Sequence, residues 1–151
     1  MIQIRKMKEE DKETLYEMMR TFYDSDALLT TPDDSVIWNN INGAIDENNE
    51  YLEGYILEYD GNTAGYGLCA HAWCTEFGGK AVWLEDLYIL EEYRSKGLGT
   101  YYFNYMYEKY HNTEVKVLRL EVEEENTLAI RNYRRNNFEE LPYIEMVRTT
   151  D

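Results

Sequence analysis

No uninterrupted apolar stretch in this 151-residue chain approaches the 18 to 20 residues a helix needs to cross a bilayer. A membrane-spanning protein is therefore not expected. The first residues, Met1-Ile2-Gln3-Ile4-Arg5-Lys6-Met7, are too few and too charged for a secretory leader and read as a first strand. Cysteine is nearly absent. Cys69 and Cys74 fall in one predicted strand at an offset of five, which sends them to opposite faces and disfavours a disulfide. A reducing, cytoplasmic location is the matching expectation. Proline is scarce too: Pro32 and Pro142 both look local, and no repeat, low-complexity tract or linker breaks the chain, so one domain over 1–151 is expected. Basic charge is the remaining shortage. Fifteen Lys and Arg against thirty Asp and Glu leave a net charge of −15, the wrong sign for a nucleic-acid binder. A cationic small molecule or peptide fits better, because a negative surface steers such ligands inward. The two histidines, His71 and His111, have no Cys or carboxylate at ligand spacing, so no metal site is expected.

Tyrosine is abundant, at fifteen residues. Its apolar body and polar tip suit the edge of a core or the wall of a cleft. Leu15, Met18, Met19 and Phe22 recur at helical spacing. Thr31-Pro32 reads as the N-cap and first position of a second helix, with Ile37, Ile41, Ala44 and Ile45 on its inner face. The period then changes. Residues 51–59, the turn Asp60-Gly61-Asn62 and residues 64–75 read as a β-hairpin. Residues 81–90 form another strand, followed by a helix bearing Tyr102, Phe103, Met106, Tyr107 and Tyr110. A strand over 115–122, a helix over 126–136 and a last strand over 143–147 complete the order βααβββαβαβ. This is an α+β layout with a mostly antiparallel sheet and one strand–helix–strand crossover.

The strand ends in Glu91-Glu92-Tyr93, and Arg94-Ser95-Lys96-Gly97-Leu98-Gly99-Thr100 opens the next helix. A helix start has unpaired N–H groups and partial positive charge, a natural anion site. Glycines 97 and 99 let those amides approach a phosphate without a Cβ in the way. Arg94 and Lys96 reverse the local sign of an acidic chain. A dinucleotide fingerprint would need a third glycine where Tyr102 stands, and the Lys-Ser/Thr ending of a triphosphate loop is missing.

Here the sequence resembles the GNAT superfamily of N-acetyltransferases. Arg94, Gly97 and Gly99 match its Arg/Gln-x-x-Gly-x-Gly/Ala signature, and Leu84-Glu85-Asp86-Leu87-Tyr88-Ile89 looks like its central strand. Leu120-Glu121-Val122 followed by Asn126, Ala129, Tyr133 and Phe138 is similar to its second motif. The likeness is strong from about 81 to 138 and weaker before.

The resemblance implies a GNAT-like fold of about six to seven strands and four helices, with acetyl-CoA as cosubstrate. It places the pyrophosphate on the amides of Arg94, Ser95, Lys96, Gly97, Leu98, Gly99 and Thr100, and the pantetheine arm on Leu87, Tyr88 and Ile89. Asn126 would touch that arm, and it also suits an N-cap. Tyr133 would protonate the departing thiolate, a role for which a phenol protonated at neutral pH is fit. Similar polyamine acetyltransferases carry a Glu-Asp pair on the central strand. Glu85 is then the expected base. Strict alternation sends Asp86 to the opposite face and leaves it the weaker candidate. Arg134 and Arg135 are lesser candidates for the coenzyme's 3′-phosphate. The departure from the pattern is Asn136-Asn137-Phe138, where glycine is usual before the aromatic residue; asparagine tolerates the left-handed turn needed there. The implied acceptor is a primary amine on a small cationic molecule, such as a polyamine, aminoglycoside or amino-acid derivative. A protein N-terminus or lysine is the alternative acceptor, and a non-catalytic acyl-CoA sensor the alternative function. A homodimer is a family-level expectation.

Overall fold

A computed structural model describes residues 1–151. The elements run β1 (Ile2–Lys6), α1 (Lys12–Tyr23), α2 (Asp34–Ile45), β2 (Leu52–Tyr59), β3 (Asn62–Cys74), β4 (Gly79–Ile89), α3 (Leu98–Tyr110), β5 (Val115–Arg119) and α4 (Thr127–Arg135), with short 3-10 turns at Glu9–Asp11 and Glu91–Tyr93. No helix is long and apolar enough to cross a membrane.

The chain divides into two compact units, Met1–Glu121 and Val122–Asp151. The first holds one five-stranded sheet in the order β1-β2-β3-β4-β5. Its first three pairings are antiparallel, and β4 to β5 is parallel. A parallel pair needs a long crossover, which α3 supplies. The expected crossover is therefore present.

On one side of the sheet α1 and α2 deliver Leu15, Met18, Met19, Ile37 and Ile41 against Ile56, Tyr66, Leu68 and Tyr88. Leu15, Ile37 and Ile41 are fully enclosed, each worth roughly 1.5–3 kcal/mol of burial. Phe22 and Ile45, predicted for the inner faces, are only partly covered. Helix α2 begins later than the Thr31-Pro32 signal suggested. Its N-cap is Asp33, whose carboxylate accepts from the amides of Ser35 and Val36. An aspartate two residues downstream outcompetes a threonine because it is the stronger cap.

On the other side α3 buries Tyr102, Phe103 and Met106, while Tyr107, predicted to share that face, is exposed and stacks on His111. Gly67 makes the fit possible: a Cβ there would lie 2.6 Å from the Tyr102 ring. A polar group closes this side, in which Glu53 receives hydrogen bonds from Lys6, Tyr110 and Lys109. His71 stands 3.2 Å from Glu53 and edge-on to Tyr110. Both cysteines are free and buried, and burial pushes the Cys69 thiol up to about 12.

The second unit contains α4 and no strand. The strand expected over 143–147 does not form. Ile144, Met146 and Val147 are 91%, 92% and 93% exposed. An alternating pattern becomes a strand only where a neighbour completes its ladder, and residues 139–151 have none. The sheet accordingly has five strands instead of six to seven.

Candidate functional site

Strand β4 is longer than its neighbour β5, and this inequality opens the sheet. Pairing between the two stops at Trp83 opposite Arg119, yet β4 continues to Ile89. Its far end is held by β3 alone. The amide of Leu90 donates to the Ala64 carbonyl at 2.8 Å. Antiparallel alternation then turns the peptide groups of Tyr88 and Asp86 toward β3, and those of Ile89 and Leu87 toward the open edge. Within the Leu87, Tyr88 and Ile89 segment, Leu87 thus turns both main-chain groups and Ile89 its amide toward an extended ligand, while the Ile89 carbonyl accepts from Arg94 Nε. Tyr88 offers its ring to the opposite core instead.

The chain leaves this edge through the Glu91–Tyr93 turn and enters α3. Ser95 has φ +61° and Gly97 +87°, both left-handed. Gly97 is the N-cap, and the first helical bond back to the turn runs from the Tyr101 amide to the Gly97 carbonyl at 3.0 Å. The amides of Leu98, Gly99 and Thr100 precede that bond, so the first helical turn leaves them without intrahelical acceptors. A Cβ on Gly99 would meet Leu87 Cδ2 at 4.0 Å, which seats the turn beside the open edge.

The two cations of the turn have partners that the sequence did not suggest. Arg94 Nε donates to the Ile89 carbonyl at 3.0 Å, and its guanidinium stands 5.9 Å from the Tyr88 ring centre. Arg94 therefore ties the turn to the strand end. Lys96 lies 5.6 Å above the Tyr59 ring.

The Glu85-Asp86 pair departs from strict alternation. Cys69 pairs with Leu84 and Leu68 with Asp86, so Glu85 is an extra residue, a β-bulge. Glu85 is exposed. Asp86 falls in register with Leu68, two residues from Tyr88 and facing α1. Its Oδ2 accepts from Tyr23 at 2.6 Å and from Tyr66 at 2.9 Å. Asn40 of α2 donates in turn to the Tyr23 hydroxyl at 3.2 Å. Burial pushes the Asp86 carboxyl above its ordinary value, and the two phenols pull against that rise without cancelling it. Burial, followed by the charge of Asp86, raises the Tyr23 and Tyr66 phenols in return. Tyr23 and Tyr66 were not singled out by the sequence, because only register and helix packing bring them to Asp86.

In the second unit, Asn126 caps α4 by accepting from the Ala129 amide at 3.2 Å. Tyr133 is half-buried, and burial raises its phenol. Its ring meets Phe138 edge-on at 6.2 Å, and the Phe138 amide donates to the Tyr133 carbonyl at 3.0 Å. Asn137 takes the left-handed conformation at φ +67°, the turn for which glycine is usual. Arg134 pairs with Glu140 at 2.9 Å in an exposed setting.

A mixed sheet opened beside a glycine turn defines a class, and the comparisons name it. The sequence pattern of the acetyltransferase (GNAT) family matches residues 12–138. The chain belongs to that family. Its fold is shared with a possible acetyltransferase from Clostridium difficile 630, at 20% identity over 99% of this chain and 98% of that one, with a TM-score of 0.85. It is also shared with AAC(6')-Iy in complex with a CoA bisubstrate analogue, at 16% identity over 100% and 99% of the chains and a TM-score of 0.80. A third relative in fold is an aminoglycoside acetyltransferase from an uncultured soil metagenomic sample in complex with sisomicin, at 11% identity, 99% and 97% coverage and a TM-score of 0.73. At these identities the likeness is one of fold. No curated protein matches the chain in sequence.

Proposed function

We propose that this protein transfers an acetyl group from acetyl-CoA to the primary amine of a small cationic acceptor. The observation that carries the reading is the open edge of β4, with the Leu87 and Ile89 peptide groups unpaired by β5, running straight into the amides of Leu98, Gly99 and Thr100. An extended pantetheine arm fits the first part and a diphosphate the second. One free amide of β4 also serves to polarise the thioester carbonyl, as an oxyanion hole does.

The acceptor arrives protonated. An amine of pKa about 10.4 must lose a proton before attack, at about 4.6 kcal/mol at pH 7. A β4 carboxylate, Glu85 on the family likeness, receives it. The nitrogen lone pair then attacks the thioester carbon, and the C–S bonding pair leaves on sulfur. Tyr133 supplies the sulfur's proton and recovers one from the newly formed amide. Asn126 supports the pantetheine arm. One proton per turnover passes to solvent. Cys69 forms no acyl-enzyme in this scheme, since burial keeps its thiol protonated.

The net charge of −15 and the two aminoglycoside acetyltransferases of the same fold support a cationic small molecule as acceptor. Calorimetry with acetyl-CoA, joined to a thiol-release assay over polyamines, aminoglycosides and amino-acid amides, tests the proposal. Micromolar binding and turnover on one of these amines is the expected result. Tight binding without turnover on any amine of this panel, or on peptides bearing a free N-terminus or lysine added to it, would replace the enzyme with a sensor.

A further inference from the structure

Resting on the acetyl-transfer reading above, we propose that Arg94 is a positioning residue for the acetyl donor, acting through its hydrogen bond to the Ile89 carbonyl and not through its charge on a phosphate. By holding that carbonyl it makes Leu87 the last acceptor open to the pantetheine arm. It thereby sets how far the thioester reaches along β4.

The end of the strand is closed carbonyl by carbonyl. On the inner side β4 is pressed against β3, where a Cβ on Gly65 would lie 2.2 Å from the Tyr88 carbonyl oxygen. Past Tyr88, Arg94 Nε donates to the Ile89 carbonyl at 3.0 Å. The Tyr93 amide donates to Leu90 at 2.9 Å, and the Arg94 amide to Glu91 at 3.2 Å. The amides of Leu98, Gly99 and Thr100 follow, without intrahelical acceptors. A path with filled carbonyls and bare amides suits an anion, whereas the amides of a pantetheine arm need donors and acceptors alike. The boundary between the two falls at Ile89. A side chain draws it there, while main-chain turns close Leu90 and Glu91.

The bond is a held one. A hydrogen bond from an ionised donor is about twice as strong as a neutral one, so a neutral ligand amide does not displace it. The guanidinium rests 5.9 Å from the Tyr88 ring centre. That ring is itself wedged 5.5 Å from Phe22 and 6.1 Å from Tyr66. Lys96 gives the contrast: it brings the same charge to the same turn, but its partner is the Tyr59 ring of β2. The donating atom of Arg94 is Nε, and glutamine places its amide nitrogen at the same number of bonds from Cα. A glutamine therefore keeps the donor and loses the charge; a methionine keeps the length and loses both.

The test compares Arg94→Gln and Arg94→Met with the parent, using acetyl-CoA and the phosphate-free donor acetyl-pantetheine. Arg94 is exposed, so both variants should melt with the parent. Thiol release with the best amine of the panel gives kcat/KM for each donor. Arg94→Met should lose about 10- to 10²-fold with both donors, because the thioester is misplaced. Arg94→Gln should stay within about threefold of the parent with both, the effect of one exposed charge. Binding is read separately by amide NMR on isotope-labelled protein titrated with pantetheine. The Leu87 and Ile89 amide resonances should shift in the parent and in Arg94→Gln, and Arg94→Met should weaken binding about tenfold. The proposal is overturned if Arg94→Gln falls as far as Arg94→Met, or if Arg94→Met loses rate with acetyl-CoA alone, the pattern of a charge on phosphate. It is equally overturned if Arg94→Met binds pantetheine like the parent. A parent that acetylates no amine would remove the acetyl-transfer reading instead, and the pantetheine titration would still decide the role of Arg94.

Discussion

Replacing Gly97 with alanine separates the backbone cost of the glycine turn from its contribution to ligand binding. Gly97 sits at φ +87°, and a Cβ built there meets nothing within 4 Å. The substitution therefore has room, and its folding cost is conformational. A left-handed L-residue costs about 1–2 kcal/mol, of which roughly 0.4–1 kcal/mol is offset by the stiffer unfolded chain. The net loss is about 1 kcal/mol, or about 2–4 °C in Tm for a domain of this size. Gly78, in the turn between β3 and β4, provides the control. It also has a left-handed φ, +64°, and open space at its Cβ. Gly78→Ala should show the same fall in Tm. The two variants should part at acetyl-CoA. At position 97 the methyl occupies the space through which a diphosphate oxygen approaches the amides of Leu98, Gly99 and Thr100, and affinity should fall at least tenfold, about 1.4 kcal/mol. Paired thermal melts and isothermal calorimetry read both quantities. Equal affinity in the two variants, at equal stability, would refute the placement of the diphosphate on this turn.

Two further outcomes are expected. Tyr133→Phe should lower kcat by about 10²-fold while acetyl-CoA affinity stays within twofold, measured by single-turnover thiol release. An unchanged chemical rate would remove Tyr133 as the proton donor. Arg5 grips the buried Asp11 with two hydrogen bonds of 2.8 and 2.9 Å, and the Lys8 amide adds a third. The Arg5 hydrogen bonds, opposed by burial, hold the Asp11 carboxyl below its ordinary value of 3.8. A depressed carboxyl stabilises the fold above that value and loses the contribution as pH falls through the lower folded value. Arg5→Met should therefore cost about 1.5–3 kcal/mol in urea unfolding at pH 7, and the gap to the parent should narrow below about pH 4. A gap that persists unchanged at pH 3 would contradict the pairing.

Much of the frame was legible because its causes are local. The helical spacing of Leu15, Met18 and Met19 needs only a periodic apolar face to become α1. Gly97 announces a left-handed turn because other residues resist that φ, and it stands at +87°. Misreadings arose where a local signal met a competitor or lacked a partner. Thr31 yielded the α2 cap to Asp33, and the alternation over 143–147 met no ladder to join.

The sequence by itself determined the glycine turn, the crossover through α3 and the family, since short-range φ preferences, periodicity and motif spacing encode them. Only the tertiary structure decided which β4 carboxylate is enclosed. A bulge at Glu85 shifts the parity of everything after it, and pairing with β3 defines that shift. Tyr23 and Tyr66 reach Asp86 from 63 and 20 residues away in the chain, and no spacing rule along one segment contains a meeting made by register and helix packing.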